Sequence, residues 1–203
     1  MKTNFFDNKE LVVDAVPEEW LRQNYEITKE ISLDNGKKII LQKLGYCYCF
    51  NHKQYDSMTE NEITETIRKN GFEYYCVLRY GKLRCYHYTK ATENEIRSSG
   101  LKATTGLNYT LAEGVYCYNY ADGKPERFHA NYIEIEYNGP YLECIADIDP
   151  QDFGNGIFIG KDGYYSKQGE SNMSITEESI SHKEYLLLVY NISYNKLVYH
   201  KVK

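Results

Sequence analysis

Apolar and polar positions alternate over much of this 203-residue chain, and the period changes at identifiable turn signals. Pro17 suits the first turn of a helix. Trp20, Leu21, Tyr25, Ile27 and Ile31 follow it at approximately helical spacing, which predicts an N-terminal helix. Asp34-Asn35-Gly36 marks a turn, after which KIILQKL and YCYCF read as strands divided by Gly45. One motif then occurs twice, as Thr59-Glu60-Asn61-Glu62-Ile63 and as Thr92-Glu93-Asn94-Glu95-Ile96. Each threonine can accept from the amide three residues on, and each glutamate can return a bond to the threonine's own amide. Gly71 and Gly100 supply the left-handed residue that ends a helix. The spacing therefore predicts helices over 60–70 and 93–99.

FEYYCVLRY and LRCYHYT, separated by Gly81-Lys82, read as a β-hairpin. YIEIEY alternates like a half-buried strand, and the turn signals Asn138-Gly139-Pro140 and Asn155-Gly156 set off YLECIADI and GIFIG. Residues 167–183 are polar and charged and read as an exposed loop. EYLLLVYNI and KLVYHKV are two closing strands joined through Ser193 to Asn195. No Pro-, Gly- or Ser-rich linker interrupts the chain. These elements describe an α+β fold, with residues 1–80 as an N-terminal extension and 81–203 as the core.

Composition narrows the functional classes. Hydrophobic residues make up 42% and charged residues 26%, the balance of a soluble globular protein. No stretch reaches the ~18–20 uninterrupted apolar residues of a membrane helix. Asp7, Asn8, Lys9 and Glu10 break the N-terminal apolar run, so no signal-peptide core is present and a cytoplasmic location is expected. A net charge of −5 gives no general attraction to phosphate backbones, which favours a protein partner over nucleic acid. The six cysteines sit in strand-like apolar runs and read as buried, reduced thiols. Cys47, Cys49 and His52 lack a second ligand pair at zinc spacing, so no metal site is expected. Tyrosine stands out, with 22 residues against 7 Phe and 1 Trp, and most of these must be structural strand residues. No glycine-rich dinucleotide loop or P-loop occurs.

Four segments carry candidate chemistry. Tyr86-His87-Tyr88-Thr89 ends a strand, and Ile96 through Gly100-Leu101 closes the second capped helix. Gly114-Val115-Tyr116 opens the next strand, and Glu184 follows His182-Lys183 at the head of Tyr185-Leu186-Leu187-Leu188-Val189-Tyr190. In this order the segments resemble the motifs of the ADP-ribosyltransferase superfamily, in the branch shared by diphtheria-type toxins and poly(ADP-ribose) polymerases. The resemblance spans about 85–203. It implies a split β-sheet core and NAD as co-substrate without a metal. The implied reaction is transfer of ADP-ribose to a macromolecule with release of nicotinamide, and small enzymes of this type often act as effectors or toxins.

The resemblance also implies roles. His87 would hydrogen-bond the adenosine-side ribose, and Tyr88 and Thr89 continue that binding segment. Tyr116 would stack on nicotinamide, with Phe128 or Tyr120 as the second aromatic, and Glu184 would be catalytic. Chemistry supports a carboxylate there, because cleavage of the nicotinamide–ribose bond develops positive charge on the ribose. A nearby carboxylate stabilises that charge and bonds the ribose hydroxyl more strongly in the transition state. Glu134 and Glu136 are rival carboxylates, with solvent-facing strand charges as their bland reading. The family usually has glycine where this chain has Tyr88, so the Tyr88 side chain must point away from the ligand. The residue two before Glu184 is His182, which argues against the arginine-modifying toxins. An RNA 2′-phosphotransferase would want a basic phosphate cluster instead. Two alternatives remain: an NAD glycohydrolase using the same residues, and a catalytically silent module that binds NAD, ADP-ribose or a protein.

Overall fold

The structure is a computed structural model, describing residues 28–44, 47–71, 74–103, 114–119, 131–147, 157–160, 163–166 and 183–201. It is a mixed α+β arrangement dominated by sheet. The N-terminal part holds β1 (Thr28–Ser32), β2 (Lys38–Leu44), β3 (Cys47–Asn51), α1 (His52–Asp56) and α2 (Glu60–Asn70). Then come β4 (Tyr74–Thr89), α3 (Glu93–Ser99), β5 (Leu101–Lys102), β6 (Val115–Tyr118) and β7 (Asn131–Asp147). The remainder comprises β8 (Ile157–Gly160), β9 (Gly163–Ser166), β10 (Glu184–Leu187), β11 (Asn191–Ile192), a 3₁₀ turn (Tyr194–Lys196) and β12 (Leu197–His200). No helix among the described residues is long and apolar enough to cross a membrane.

Both capped helices form where the repeated motif places them. Thr59 Oγ1 accepts from the Glu62 amide at 3.3 Å, and Glu62 accepts from the Thr59 amide at 2.9 Å. Thr92 and Glu95 repeat the exchange at 3.4 and 2.6 Å. Each such cap stabilises its helix by about 1 kcal/mol. Gly71 and Gly100 end the helices at φ 112° and 69°. Ile63 and Ile67 of α2 then pack with Ile31, Ile39, Leu41, Phe50 and Tyr75 of the sheet. The short α1 had no apolar period to announce it. Its signal is local, with the Asn51 side chain accepting from the Lys53 amide at 3.0 Å.

Three sequence expectations change. The helical stripe expected to run through Ile31 does not extend over Thr28–Ser32, because that segment pairs antiparallel with Lys38–Gln42 as β1. The turn at Asp34-Asn35-Gly36 folds β1 back, with Gly36 at φ 82°, and Ile31 faces Ile39 in the core. The earlier positions of that expected stripe lie outside the described residues, as does nearly all of the loop expected over 167–183. Secondly, the hairpin expected at Gly81-Lys82 is absent, because β4 runs unbroken for 16 residues. Thirdly, β7 likewise continues through Asn138-Gly139-Pro140 for 17 residues.

The two turn signals in fact face each other. Gly81 pairs with Gly139, Lys82 with Asn138 and Tyr80 with Pro140. Gly81 takes φ 140°, a conformation L side chains rarely adopt, so the two glycines let the paired strands bend together. The Pro140 carbonyl accepts from the Leu188 amide at 3.1 Å, on the β10 side. In an antiparallel strand the missing proline N–H lies on that same side, so the β4 ladder loses nothing. The boundary expected at 80/81 falls inside β4, so residues 28–80 and the core share one sheet.

The bend also closes the sheet. β4 pairs with β7, β7 with β10, β10 with β6 and β6 again with β4. Cys85, Val115, Cys117, Tyr137, Tyr185 and Leu187 pack together in the cluster belonging to this ring. A second cluster, with Cys47, Cys49, Cys76, Leu78, Leu142, Cys144 and Leu186, fills the opposite face above the bend. All six cysteines are buried free thiols.

Candidate functional site

The strands that carry the candidate motifs lie side by side, in the order β4, β6, β10. Two motif glycines explain how closely they approach. A Cβ on Gly114 would stand 2.4 Å from the Leu187 carbonyl oxygen and 2.7 Å from Leu186 Cδ1. A Cβ on Gly100 would stand 2.6 Å from Asn191 Oδ1, at a backbone φ of +69°. Gly114 therefore lets β6 lie against β10, and Gly100 lets the end of α3 lie against β11. Leu101 and Lys102 then pair with Ile192 and Asn191.

Strand register sets one row of side chains across the sheet. Glu134 of β7 is opposite Tyr86 of β4, Tyr86 is opposite Tyr118 of β6, and Tyr118 is opposite Glu184 of β10. Residues opposite one another share a face, so all four stand on the same side. The Tyr118 hydroxyl donates to Glu184 Oε1 at 3.4 Å. Tyr116 sits two residues back on that face, opposite Leu186, and packs half-buried against the second cluster. Leu186 and Val115 beside these groups are buried, which makes the strand seam rigid.

The rival carboxylates are held elsewhere. Arg84 bridges Glu134 at 3.3 Å and Glu136 at 2.9 Å, and Glu136 is largely exposed. Glu134 also meets His200 Nε2 at 3.5 Å. Among the three candidate carboxylates, Glu184 is the one beside the Tyr118 hydroxyl.

His87 follows Tyr86 along β4, so in the pleat its side chain leaves from the opposite face to Glu184. Its Nδ1 donates to the Tyr116 carbonyl at 2.7 Å, across the junction of β4 and β6. A carbonyl only accepts, so Nδ1 carries the proton in the neutral ring and Nε2 is an acceptor. Burial pushes the His87 imidazolium pKa down, against a smaller upward pull from the Tyr116 carbonyl. Thr89 ends β4, and its hydroxyl accepts from the Ala91 amide at 3.1 Å, a turn-forming role. The Tyr88 ring lies 5.9 Å from Tyr118 and 6.3 Å from Tyr132, centroid to centroid. Its bulk is thus packed on the tyrosine face, away from the His87 side chain.

The structure brings Glu184 together with Tyr118, and His87 together with the Tyr116 backbone. The β4–β6 junction separates these two sets, and among the described residues its strands pair at Tyr86 with Tyr118. Tyr120 and Phe128 lie outside the described residues. Tyr118 escaped sequence reasoning because the motif points to Tyr116, and Tyr86 heads its motif segment without a role assigned to it. Alternation along VYCY would have found Tyr118, since residues two apart share a face. Among the described residues no group of three or more His, Cys, Asp or Glu is arranged to hold a metal ion. No family profile, curated protein or solved structure matches the chain.

Proposed function

We propose that the chain is a NAD-consuming ADP-ribosyltransferase built on a split-sheet core of the kind its motifs resemble. One observation carries the reading: β4, β6 and β10, bearing the His, Tyr and Glu motifs, are neighbours, and Glu184 opens β10 directly across from Tyr118. The glycines of two motifs are also needed for close approach, which gives those positions a physical reason independent of the resemblance.

In this reading the dinucleotide crosses the β4–β6 junction. His87, neutral at pH 7 because burial lowers its pKa, accepts a ribose hydroxyl at Nε2. Tyr116 and Tyr118 offer ring faces for the nicotinamide. As the C1′–N bond breaks, its electron pair leaves with nicotinamide, and positive charge grows on the ribose. The Glu184 carboxylate opposes that charge and holds the adjacent hydroxyl. An acceptor nucleophile then bonds to C1′ and gives up its proton to water or to the Glu184 carboxylate. A protein acceptor fits the chain's negative charge better than a nucleic acid does.

A second reading, a silent NAD- or protein-binding module, rests on Tyr88 in the glycine position. The packing of its ring against Tyr118 and Tyr132 supplies a use for that bulk on the opposite pleat face from His87. Incubation of the protein with adenine-labelled NAD and cell extract tests the reading. Protease-sensitive label that is lost in Glu184→Gln is the expected result. Nicotinamide release without transferred label would instead make the chain an NAD glycohydrolase, and neither product would leave only the binding module.

A further inference from the structure

Lys183 precedes the proposed catalytic carboxylate and is held at three points. Its amide donates to Asn119 Oδ1 at 2.8 Å, and its carbonyl accepts from the Asn119 amide at 3.1 Å. Its ammonium donates to Glu143 Oε1 at 2.6 Å. Glu143 is buried on β7, and its other oxygen accepts from Arg79 Nε. Arg79 reaches on to Asp56 at the end of α1, at 3.1 and 3.3 Å. Charges thus alternate from Asp56 through Arg79 and Glu143 to Lys183, linking the N-terminal helix to the head of β10.

We propose that Lys183 is a positioning residue for Glu184, fixed by Asn119 and Glu143. The inference rests on the reading of Glu184 given above. Neighbours in a strand leave opposite faces, so the direction of one sets the direction of the other. The pull of Glu143 on Lys183 therefore turns the first pleat of β10 so that Glu184 faces Tyr118. Asn119 supplies the complementary hold on the backbone, continuing the β6–β10 ladder one step past the Glu184–Tyr118 pair. The Lys183 side chain is 42% exposed, and Arg79 still pairs with buried Glu143 when the Lys183 charge is removed, so the effect peculiar to this contact is on the direction of Lys183.

The test measures nicotinamide release from NAD by the full chain. Lys183→Met keeps the side-chain length and removes the charge. It is expected to lower kcat on the order of ten- to a hundredfold, the size of a small misplacement, with KM for NAD nearly unchanged. Lys183→Arg restores the rate. In a Glu184→Gln background, Lys183→Met causes no further loss, because the group it positions is gone. A Lys183→Met rate equal to wild type, or the same loss in both backgrounds, overturns the proposal. If Lys183→Met does not fold, Asn119→Ala carries the same test, with Asn119→Asp as the variant that keeps the acceptor. A wild-type chain that releases no nicotinamide overturns the proposed function and this inference together. An active wild type with an unaffected Lys183→Met overturns this inference alone.

Discussion

Alanine at Gly114 would set a methyl carbon 2.4 Å from the Leu187 carbonyl oxygen and 2.7 Å from Leu186 Cδ1. Ordinary contacts between such atoms lie at about 3.5 Å, so β6 and β10 would have to part by roughly 1 Å. The nearer contact is backbone and cannot rotate aside, and Leu186 and Leu187 are fully buried. Overpacking of this kind costs about 1–3 kcal/mol, and a backbone clash belongs at the upper end. In a chain of 203 residues each kcal/mol moves Tm by about 2–4 °C, so Gly114→Ala should melt roughly 6–12 °C below wild type. Thermal unfolding followed by circular dichroism reads this directly. Gly36→Ala is the comparison variant, because nothing lies within 4 Å of its added carbon and only its φ of +82° opposes the change. That strain costs about 1–2 kcal/mol. A Gly114→Ala chain that melts within about 2 °C of wild type, less than 1 kcal/mol on this scale, would refute the close packing of β6 on β10. The placement of Glu184 opposite Tyr118 would fall with it.

Two further outcomes test the elements around the site. Thr92→Ala removes the side-chain half of the α3 cap, leaving the Thr92 amide bonded to Glu95, and should cost about 1 kcal/mol in urea unfolding, with Thr92→Ser restoring it; no loss would show that α3 is held without that hydroxyl. The Glu62 carboxyl pKa is lowered to about 2, first by the Thr59 amide, then by Lys37 and Asn35. A depressed folded value means stability is present above the ordinary carboxylate pKa near 4.5 and lost as pH falls towards about 2. Glu62→Gln should flatten the urea midpoint across that window, and an unchanged acid dependence would contradict the assignment.

The parts of the fold that depend on local chemistry were legible in the sequence. Thr59 and Thr92 with their glutamates, and Gly71 and Gly100 behind them, announce two helices because capping needs only nearby backbone groups. Glu184 at the head of a strand was legible from the apolar run that follows it, Tyr185 through Val189. What escaped depends on pairing between distant segments. Gly81 and Gly139 each look like a turn, and only their position opposite one another turns two signals into a shared bend. Ile31 follows a helical stripe, yet its pairing partner Ile39 lies across a turn that favours a hairpin. Tyr118 and Asn119 carry no motif of their own, and Lys183 has no role of its own in the segment that contains it. Their importance comes from register, which places them around Glu184.

Nicotinamide release from NAD, measured by chromatography for wild type and Glu184→Gln side by side, tests the central claim most directly. Glu184→Gln preserves shape and removes the charge that opposes the developing cation. Wild type should turn over NAD, with a loss on the order of 10²–10³ in the variant, about 2.7–4 kcal/mol of transition-state stabilisation. Equal rates in the two chains would contradict it, as would a wild type that binds NAD and leaves it intact.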